Sequence, residues 1–356
     1  MITRRTTTKM VKNLLIKAEN LAALHYLLED KMLKGQIDLV YIDPPFATGG
    51  NFTITGSRAS TISSPRDGDL AYSDKITGED FLDFLRPRLL ILRELMSERG
   101  SIYLHSDYKM GHYVKLLMDE IFGIENFRND ITRIKCNPKN FNRIGYGNIK
   151  DLILFYSKNK PIWNEPKEPY TDRDLKKLFP KMDPEGRRYT TVPIHAPGET
   201  KQGKSNQPFR GLLPPPGRHW RTDVKTLERW DQEGLIEWSR TGNPRKIIFA
   251  DQQEGKRVQD IWEYKDPQYP SYPTEKNSDL LDLIIRTSSD EDSIVLDCFC
   301  GSGTALKSAY LSQRKWIGVD QSEHAIRVTK IKIESVEDES LLGKSGYEFV
   351  ELKSNK

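Results

Sequence analysis

Residues 293–304, SIVLDCFCGSGT, decide the fold class of this chain. A short apolar run at 294–296 leads into Asp297, and a turn with Gly301 and Gly303 precedes a helical pattern over 305–311. Glycine lets a ligand approach the backbone closely, and the first turn of a helix offers free N–H groups. The stretch therefore predicts a strand, a tight turn and a helix that together bind a nucleotide-like ligand.

A second apolar run, residues 316–319, ends on Asp320 about one strand–helix–strand unit later. A carboxylate at this place can accept both hydroxyls of a ribose. A nicotinamide cofactor fits less well, because Leu306 stands where the third glycine of G-x-G-x-x-G belongs. For the glycines alone, a packing turn without any ligand is the alternative.

The sequence on either side alternates between helical and strand-like patterns. Helical spacing is found at 18–34, 81–99, 111–122 and 280–285, and short apolar runs are found at 37–42, 101–104 and 152–156. Residues 47–74, rich in Gly, Ser and Thr, predict a mobile loop. The alternation predicts an α/β fold with a doubly wound, mostly parallel sheet.

The texture of the sequence changes between residues 158 and 269. Prolines cluster at 214–216, five tryptophans fall in this range, and the apolar runs are short. We therefore expect three segments: a catalytic half over 1–157, an insert over 158–269, and a ligand-binding half with a C-terminal tail over 270–356. From residue 334 onward the chain is charged and weakly patterned, which predicts an edge element or a frayed tail.

Composition excludes several classes of protein. The 356 residues are 37% hydrophobic and 30% charged, with a net charge of +4, which suits a large α/β domain with an insert. No run of roughly 18 apolar residues and no secretory signal are visible, so we expect neither a membrane span nor export. Three cysteines without a second pair supply neither a disulfide framework nor the four ligands of a structural zinc, and we expect a cytoplasmic protein without a metal.

A second motif, Asp43–Pro44–Pro45–Phe46, directly follows the apolar run at 37–42. The carboxyl ends of parallel strands are where α/β sheets hold ligands. Prolines fix φ and carry no N–H, so they hold a backbone carbonyl rigidly beside the Asp43 carboxylate. In isolation, a turn that merely ends a strand is the alternative interpretation.

In combination, the two motifs resemble those of the amino-group DNA methyltransferases. Asp43–Pro44–Pro45–Phe46 is similar to the catalytic motif of that family, and residues 297–304 are similar to its cofactor motif. The order, catalytic motif first, resembles the circularly permuted beta class. Further similar stretches are YPTEK at 272–276, GSIYLHSD at 100–107, LLMDEIFG at 116–123 and GRHWR at 217–221, so the resemblance spans about residues 14–328.

The resemblance implies methyl transfer from S-adenosylmethionine to an exocyclic amino group in double-stranded DNA. The residues that it implies for cofactor binding are Asp297, Phe299, Cys300, Gly301, Ser302, Gly303, Thr304, Asp320, Thr274 and Lys276. Two positions depart from the family pattern. Cys298 replaces a usual proline, and Ala18–Glu19 stands where the family often has Gly-Asp.

The chemistry of an amino group explains the catalytic motif. The amine is a poor nucleophile because its lone pair is delocalised into the ring. Asp43 and the carbonyl held by the prolines can accept both N–H groups, which favours a pyramidal nitrogen and stabilises the developing positive charge. Phe46 offers a face on which a flipped-out base stacks. This chemistry needs no histidine base, so we interpret His105 and His195 as structural.

The resemblance also suggests which base is methylated. In the family, Asp-Pro-Pro-Tyr/Phe accompanies mainly adenine and Ser-Pro-Pro-Tyr mainly cytosine N4, so the motif favours adenine N6. Cytosine N4 and an RNA base remain close alternatives. A non-catalytic nucleic-acid-binding protein of the same fold and a nicotinamide-dependent oxidoreductase are the more distant ones.

By the family plan, the insert is the target-recognition region. Residues 131–160 contain seven Lys/Arg against one acid, and residues 201–260 contain 12 against 8. Such residues supply phosphate contacts, which make binding dependent on salt. The candidates for DNA binding are Lys135, Arg143, Arg210, Arg218 and Arg221. Trp220 and Trp238 are interpreted as core residues.

The family also suggests partners beyond DNA. A homodimer is one expectation, and a separate restriction endonuclease is another, since no nuclease motif is evident in this sequence.

Overall fold

A computed structural model describes residues 12–45, 51–55, 58–60, 69–73, 78–138, 144–199, 203–268, 270, 275–339 and 346–353. The chain divides into two compact units. The larger comprises Met1–Pro166 and Gln259–Lys356, and the smaller is Lys167–Val258. The expected insert, 158–269, contains the smaller unit, and both ends of that range belong to the larger unit.

The strands and helices follow one another in chain order. Up to residue 166 they are β1 (Asn13–Lys17), α1 (Asn20–Glu29), β2 (Ile37–Ile42), β3 (Asn51–Thr55), β4 (Arg58–Ser60), β5 (Asp69–Ser73), α2 (Gly78–Leu95), β6 (Met96–Ser106), α3 (Gly111–Phe122), β7 (Phe127–Ile134) and β8 (Lys150–Ser157). The smaller unit contains β9 (Lys167–Glu168), α4 (Asp172–Leu178), β10 (Lys181–Met182), β11 (Arg188–Pro193), β12 (His195–Pro197), β13 (Arg218–Trp220), α5 (Val224–Gln232), β14 (Ile236–Trp238), β15 (Pro244–Phe249) and β16 (Lys256–Arg257). The remainder comprises β17 (Ile261–Trp262), α6 (Ser278–Ser288), β18 (Ile294–Asp297), α7 (Thr304–Leu311), β19 (Lys315–Asp320), α8 (Glu323–Glu339) and β20 (Tyr347–Glu351).

A nine-stranded sheet organises the larger unit, in the order β17-β7-β8-β6-β2-β18-β19-β1-β20. All neighbours pair in parallel except β8, which is antiparallel to both β6 and β7. From β2 the chain continues to β6 on one side, and from β18 it continues to β19 on the other. The winding therefore reverses between β2 and β18, where doubly wound sheets bind their ligands. The predicted α/β fold with a mostly parallel sheet is confirmed.

The two strands at this reversal are buried as the sequence pattern predicts. Leu39, Val40, Val295 and Leu296 have no exposed surface, which is expected of central parallel strands covered on both faces. Helices α1, α2 and α3 contribute to the core that covers one face, for example through Phe81. Burial of such side chains contributes about 1.5–3 kcal/mol each and holds the carboxyl edge of the sheet in place.

The range 47–74 is not one continuous loop, so that prediction was wrong for the residues described there. Strands β3, β4 and β5 form an antiparallel sheet in the order β4-β3-β5. The stretch NFTIT at 51–55 does alternate apolar and polar residues, as a strand does. The surrounding Gly, Ser and Thr obscured this short pattern.

Of the two expectations for the C-terminal stretch, an edge element or a frayed tail, the edge element is found. Strand β20 pairs in parallel with β1 at the end of the sheet. The preceding helix α8 extends to Glu339, so residues 334–339 belong to a helix. The charged residues of this helix hid its apolar face, on which Ala325, Ile326 and Ile333 are buried.

The smaller unit has its own apolar core beside a four-stranded antiparallel sheet, β10-β11-β15-β14. Trp220 packs in this core with Phe209 and Leu227 and is 1% exposed, as predicted. Trp238, also interpreted as a core residue, is 37% exposed and stacks on Phe209 at a centroid distance of 6.1 Å, so that interpretation was wrong. In the described parts of both units, no helix is long and apolar enough to cross a membrane.

Candidate functional site

Two predicted site residues meet at the reversal of the sheet. Asp297 is the last residue of β18, and Asp43 directly follows β2, which lies beside β18 with Leu296 opposite Val40. Asp297 is 3% exposed, and the side chain of Asp43 is 15% exposed. Pro44 is buried next to Asp43. The catalytic and cofactor motifs, 254 residues apart in the chain (297 minus 43), therefore share one edge of the sheet.

The glycine turn after β18 has the backbone that glycine allows. Gly301 and Gly303 have φ of 49° and 73°, in the left-handed region. A Cβ on Gly303 would lie 2.7 Å from Thr329 Cγ2, so no larger residue fits without displacement. Thr329 also donates a hydrogen bond to the carbonyl of Gly301, at 2.9 Å. The turn is thus held by α8 and leads directly into α7.

Asp320 is fixed at the same turn from the end of β19. Its carboxylate accepts the N–H of Gly301 at 3.0 Å and the N–H of Ser322 at 2.8 Å. Burial raises the pKa of Asp320, and these hydrogen bonds oppose the increase. The remaining lone pairs of the carboxylate can accept the hydroxyls of a ribose.

Asp297 gives the site a strong preference for positive charge or hydrogen-bond donors. One carboxylate oxygen accepts the N–H of Phe299 at 3.0 Å. Burial raises the pKa of Asp297 to about 8, and the nearby charges of Asp43 and Asp320 raise it further. A ligand with a cationic group beside these three carboxylates would offset their repulsion. S-adenosylmethionine, with its sulfonium and ammonium groups, meets this requirement.

Lys332, which was not predicted from the sequence, binds two side chains at the start of α7. Lys332 on α8 donates hydrogen bonds to Ser302 Oγ at 3.1 Å and Thr304 Oγ1 at 3.0 Å, and it pairs with Glu275. Burial lowers the pKa of Lys332, while Glu275 raises it. The contact ties the loop before α6 to the glycine turn. No sequence motif marks Lys332, since the contact joins residues 30 positions apart.

Asp43 is held by a lysine on one oxygen only. Lys276 Nζ lies 2.7 Å from Asp43 Oδ2. The other oxygen, Oδ1, is buried and has no hydrogen-bond partner among the residues that the structure describes. His105 Nδ1 is 4.0 Å from Oδ1. Lys276, expected at the cofactor, thus contacts the catalytic carboxylate.

His105 belongs to a buried polar network that begins at Asp43. The Tyr41 hydroxyl lies 3.2 Å from His105 Nδ1, and Asp151 Oδ2 lies 3.3 Å from His105 Nε2. Lys135 Nζ donates to Asp151 Oδ1 at 2.6 Å. Burial lowers the pKa of His105 below its ordinary 6.5, and the charge of Lys276 lowers it further.

The pKa of Asp151 shows that this network holds a negative charge. Burial alone would raise that pKa, but hydrogen bonds from His105 and Lys135 hold it far below its ordinary value. Asp151 is therefore a carboxylate, and it accepts from the N–H of a neutral His105.

The other predicted cofactor residues surround the glycine turn. The Phe299 ring lies 6.2 Å from that of Phe84, at the edge of the core. Cys298 and Cys300 are buried, and burial raises the pKa of both thiols, which keeps them protonated. Phe46, Thr274 and Arg143 lie outside the described residues. Within the ranges described, no group of three or more His, Cys, Asp or Glu is placed to hold a metal ion.

The predicted DNA-binding residues have different environments. Arg218 Nη1 lies 3.1 Å from His195 Nδ1, and Arg221 Nε donates to the His195 carbonyl at 3.3 Å. Arg210 Nε instead donates to Asp231 at 2.6 Å. Lys135 is bound to Asp151 in the larger unit. Arg218 and Arg221 are therefore the better placed of these candidates for phosphate contacts.

Comparisons with known proteins identify the family of this chain. A family model described as DNA methylase, of the N6 and N4 methyltransferases, matches residues 37–331. The type II methyltransferase M.EcaI of Enterobacter cloacae is 40% identical over 331 residues, which cover 91% of this chain and 70% of that protein.

More distant relatives are longer than this chain. The StyLTI Mod subunit of a type III restriction-modification enzyme from Salmonella typhimurium is 25% identical over 332 residues, which cover 82% of this chain and 49% of that protein. This chain thus spans about half the length of that relative. The solved structure of the cytosine-N4-specific PvuII DNA methyltransferase matches 97% of each chain at 12% identity, with a TM-score of 0.48. A likeness of this degree says nothing about which base is methylated.

Proposed function

We propose that this chain, which belongs to the DNA methylase family of N6 and N4 methyltransferases, methylates the N6 amino group of adenine. It is a DNA methyltransferase, and S-adenosylmethionine is its methyl donor. The observation that carries the choice of base is Asp43, an aspartate in Asp-Pro-Pro-Phe at the reversal of the sheet.

The residues around the glycine turn would hold the cofactor. We assign the ribose hydroxyls to Asp320, since its carboxylate is fixed beside Gly301. The cationic methionine end fits Asp297, because a cation beside this buried group would favour its ionised form, which burial disfavours. When bound, S-adenosylmethionine supplies an electrophilic methyl group.

Asp43 would bind and orient the amino group. Its oxygen Oδ2 accepts a hydrogen bond from the Lys276 ammonium. We propose that the same oxygen accepts an N–H of the amino group when the base is bound. The carbonyl held by Pro44 would accept the second N–H. Together the two acceptors favour a pyramidal nitrogen, whose lone pair is then available for attack. Phe46 would stack on the base.

The amino group lies inside the duplex, so the base must be flipped out, which costs a few kcal/mol. We assign phosphate contacts to Arg218 and Arg221, whose side chains are exposed in the smaller unit. Arg210, Arg143 and Lys135 remain weaker proposals. We further propose that the chain modifies DNA in the cytoplasm within a restriction-modification system, with a separate endonuclease and a second copy of itself as partners. The restriction-modification role is supported by the name of one relative, the Mod subunit of a type III restriction-modification enzyme.

Nucleoside analysis tests the proposed base. The chain is incubated with labelled S-adenosylmethionine and mixed genomic DNA, and the hydrolysed nucleosides are identified by mass spectrometry. We expect N6-methyladenine from the wild type and from Asp30→Asn, and far less of it from Asp43→Asn in the same incubation time. Asp30 is exposed at the end of α1, so it controls for the loss of one carboxylate.

Each other product would point elsewhere. N4-methylcytosine would keep the chemistry of Asp43 and overturn the assignment to adenine. Label in RNA but not in DNA, measured in a parallel incubation, would overturn DNA as the substrate of this chain.

A further inference from the structure

A chain of buried polar groups leads from the catalytic carboxylate to the surface. It passes from Asp43 to His105, then to Asp151 and finally to Lys135, at distances of 4.0, 3.3 and 2.6 Å. The side chains of His105 and Asp151 are 0% and 3% exposed, whereas that of Lys135 is 26% exposed. The path crosses β2, β6, β8 and β7 within one sheet.

Stability alone does not account for this path. Burying ionised groups in a sheet costs free energy even when they are paired. Within the network, Arg133 Nη1 and Asp43 Oδ1 are buried without a hydrogen-bond partner among the described residues. The neighbours of His105 along the strands, Leu104 and Ile153, are fully buried apolar residues. Polar groups buried among apolar residues in this way are typical of a functional site.

We assign the proton of His105 to one ring nitrogen from the partners of each nitrogen. Asp151 is an anion and accepts from Nε2–H, so Nδ1 carries the lone pair. The single lone pair of Nδ1 can then accept either from the Tyr41 hydroxyl or, once that hydroxyl turns away, from a protonated Asp43, whose Oδ1 it faces at 4.0 Å. Because neither of these two atoms carries a proton, Oδ1 has no partner among the described residues. A proton placed on Asp43 would complete a hydrogen bond to His105.

We propose that His105 receives, through Asp43, the proton that the amino group loses after methyl transfer, which makes it a positioning residue for proton release. The inference rests on the proposed function and holds for either base. The nitrogen of the amino group forms a bond to the methyl carbon as the bond between that carbon and sulfur breaks, which leaves a cation on nitrogen. One N–H proton then passes to the Asp43 carboxylate and from it to His105 Nδ1, and the methylated amine is neutral again.

Asp151 stabilises the product of this step. The imidazolium of His105 would lie between Asp43 and Asp151, with Lys276, Arg133 and Lys135 as the surrounding positive charges. The 4.0 Å separation must close to about 3 Å for direct transfer, a change within the reach of a side-chain adjustment. After the product leaves, the proton returns to water through the opened site.

Replacement of His105 by glutamine tests the proposal. His105→Gln keeps an N–H donor for Asp151 but cannot take up a proton. In single-turnover methyl transfer at neutral pH, we expect the rate to fall roughly a hundredfold, with the affinities for DNA and S-adenosylmethionine unchanged. His25→Gln, the same change at an exposed helix position, should leave the rate unchanged.

The pH profile separates this role from a structural one. A neutral His105 is needed, so the wild-type rate should be level near neutrality and should fall only below pH 6.5, since the pKa of His105 is lowered. This acidic limb should be absent in His105→Gln. Tyr41→Phe, which removes a hydrogen bond to Nδ1 but no proton acceptor, should keep the limb.

Ring nitrogen NMR of the unliganded protein provides a readout without turnover, and we expect His105 to be neutral with its proton on Nε2. A wild-type rate in His105→Gln would overturn the proposal. So would a slower variant that keeps the acidic limb and melts at a lower temperature, because that result would mark a structural role. The product nucleoside is identified in the same assay, so methylcytosine would refute the adenine assignment and leave the proton path standing.

Discussion

At the scale of single residues, three carboxylates share the carboxyl edge of the sheet. Burial raises the pKa of Asp297 to about 8, and the charges of Asp43 and Asp320 add to this increase. Like charges in a buried site are unfavourable unless a cation or donors compensate. Lys276 compensates at Asp43, and a cationic cofactor would compensate at Asp297. The site is therefore built to bind positive charge at two neighbouring places.

The sequence identified the carboxylates but not all of their partners. Asp297 and Asp320 end their strands and Asp43 directly follows β2, so local pattern and position in an α/β fold suffice to place them. His105 was interpreted as structural because the chemistry needs no histidine base, and its partners on other strands leave no pattern near it in the sequence. Lys332 likewise contacts residues far away in the chain. Contacts made by the fold rather than by neighbours in sequence leave no short motif.

At the scale of elements, the turn between β18 and α7 is defined by α8 as much as by its glycines. Gly303 combines a φ of 73° with close contact to Thr329. Gly35 has a similar φ of 69°, yet a Cβ there would contact nothing within 4 Å. A comparison of substitutions at Gly303 and Gly35 therefore distinguishes the cost of backbone strain from the cost of steric contact.

Gly303→Ala should therefore be more damaging than Gly35→Ala. Both changes carry a left-handed penalty of about 1–2 kcal/mol, and only the first adds overpacking, which costs about 1–3 kcal/mol. Chemical denaturation measures both losses of unfolding free energy, and calorimetric titration measures cofactor affinity. We expect Gly303→Ala to lose more of both. Equal losses at the two positions would show that Thr329 does not constrain the turn.

Pattern predicted the central elements best. Strand β2 and helix α3 have the bounds expected from the sequence, because burial on the sheet or on one helical face gives a clear period. Strand β7 was missed, since Arg128, Asn129 and Asp130 interrupt its apolar residues. The segment is a strand because it pairs with β8 and β17, and this pairing cannot be predicted from its composition.

At the scale of the whole molecule, the chain has a catalytic unit and a smaller basic unit with its own core. The change in composition revealed the smaller unit, but its sheet was not predicted, because several of its strands have only two or three residues. Composition also could not rank the arginines. Arg210 is paired with Asp231, whereas Arg218 forms no ion pair with a carboxylate among the described residues.

Arg218→Ala should weaken DNA binding more than Arg210→Ala. An arginine whose charge is not already compensated releases counterions when it contacts a phosphate. We expect Arg218→Ala to reduce the slope of log affinity against log salt by about 1, and Arg210→Ala to change it less. Fluorescence anisotropy over a range of salt concentrations measures both. A larger effect from Arg210 would reverse the assignment of the phosphate contact.

The most direct measurement compares methyl transfer with binding in Asp43→Asn. Single-turnover transfer to DNA is measured beside the affinities for S-adenosylmethionine and for DNA, with Asp30→Asn as the matched control. Since Asp43 is proposed to act on the amino group, transfer should fall by roughly a hundredfold to a thousandfold while the chain still binds both ligands. Transfer close to the wild-type rate would contradict a catalytic role for Asp43. Loss of binding in proportion to the loss of transfer would show that this carboxylate holds ligands and does not activate the amine.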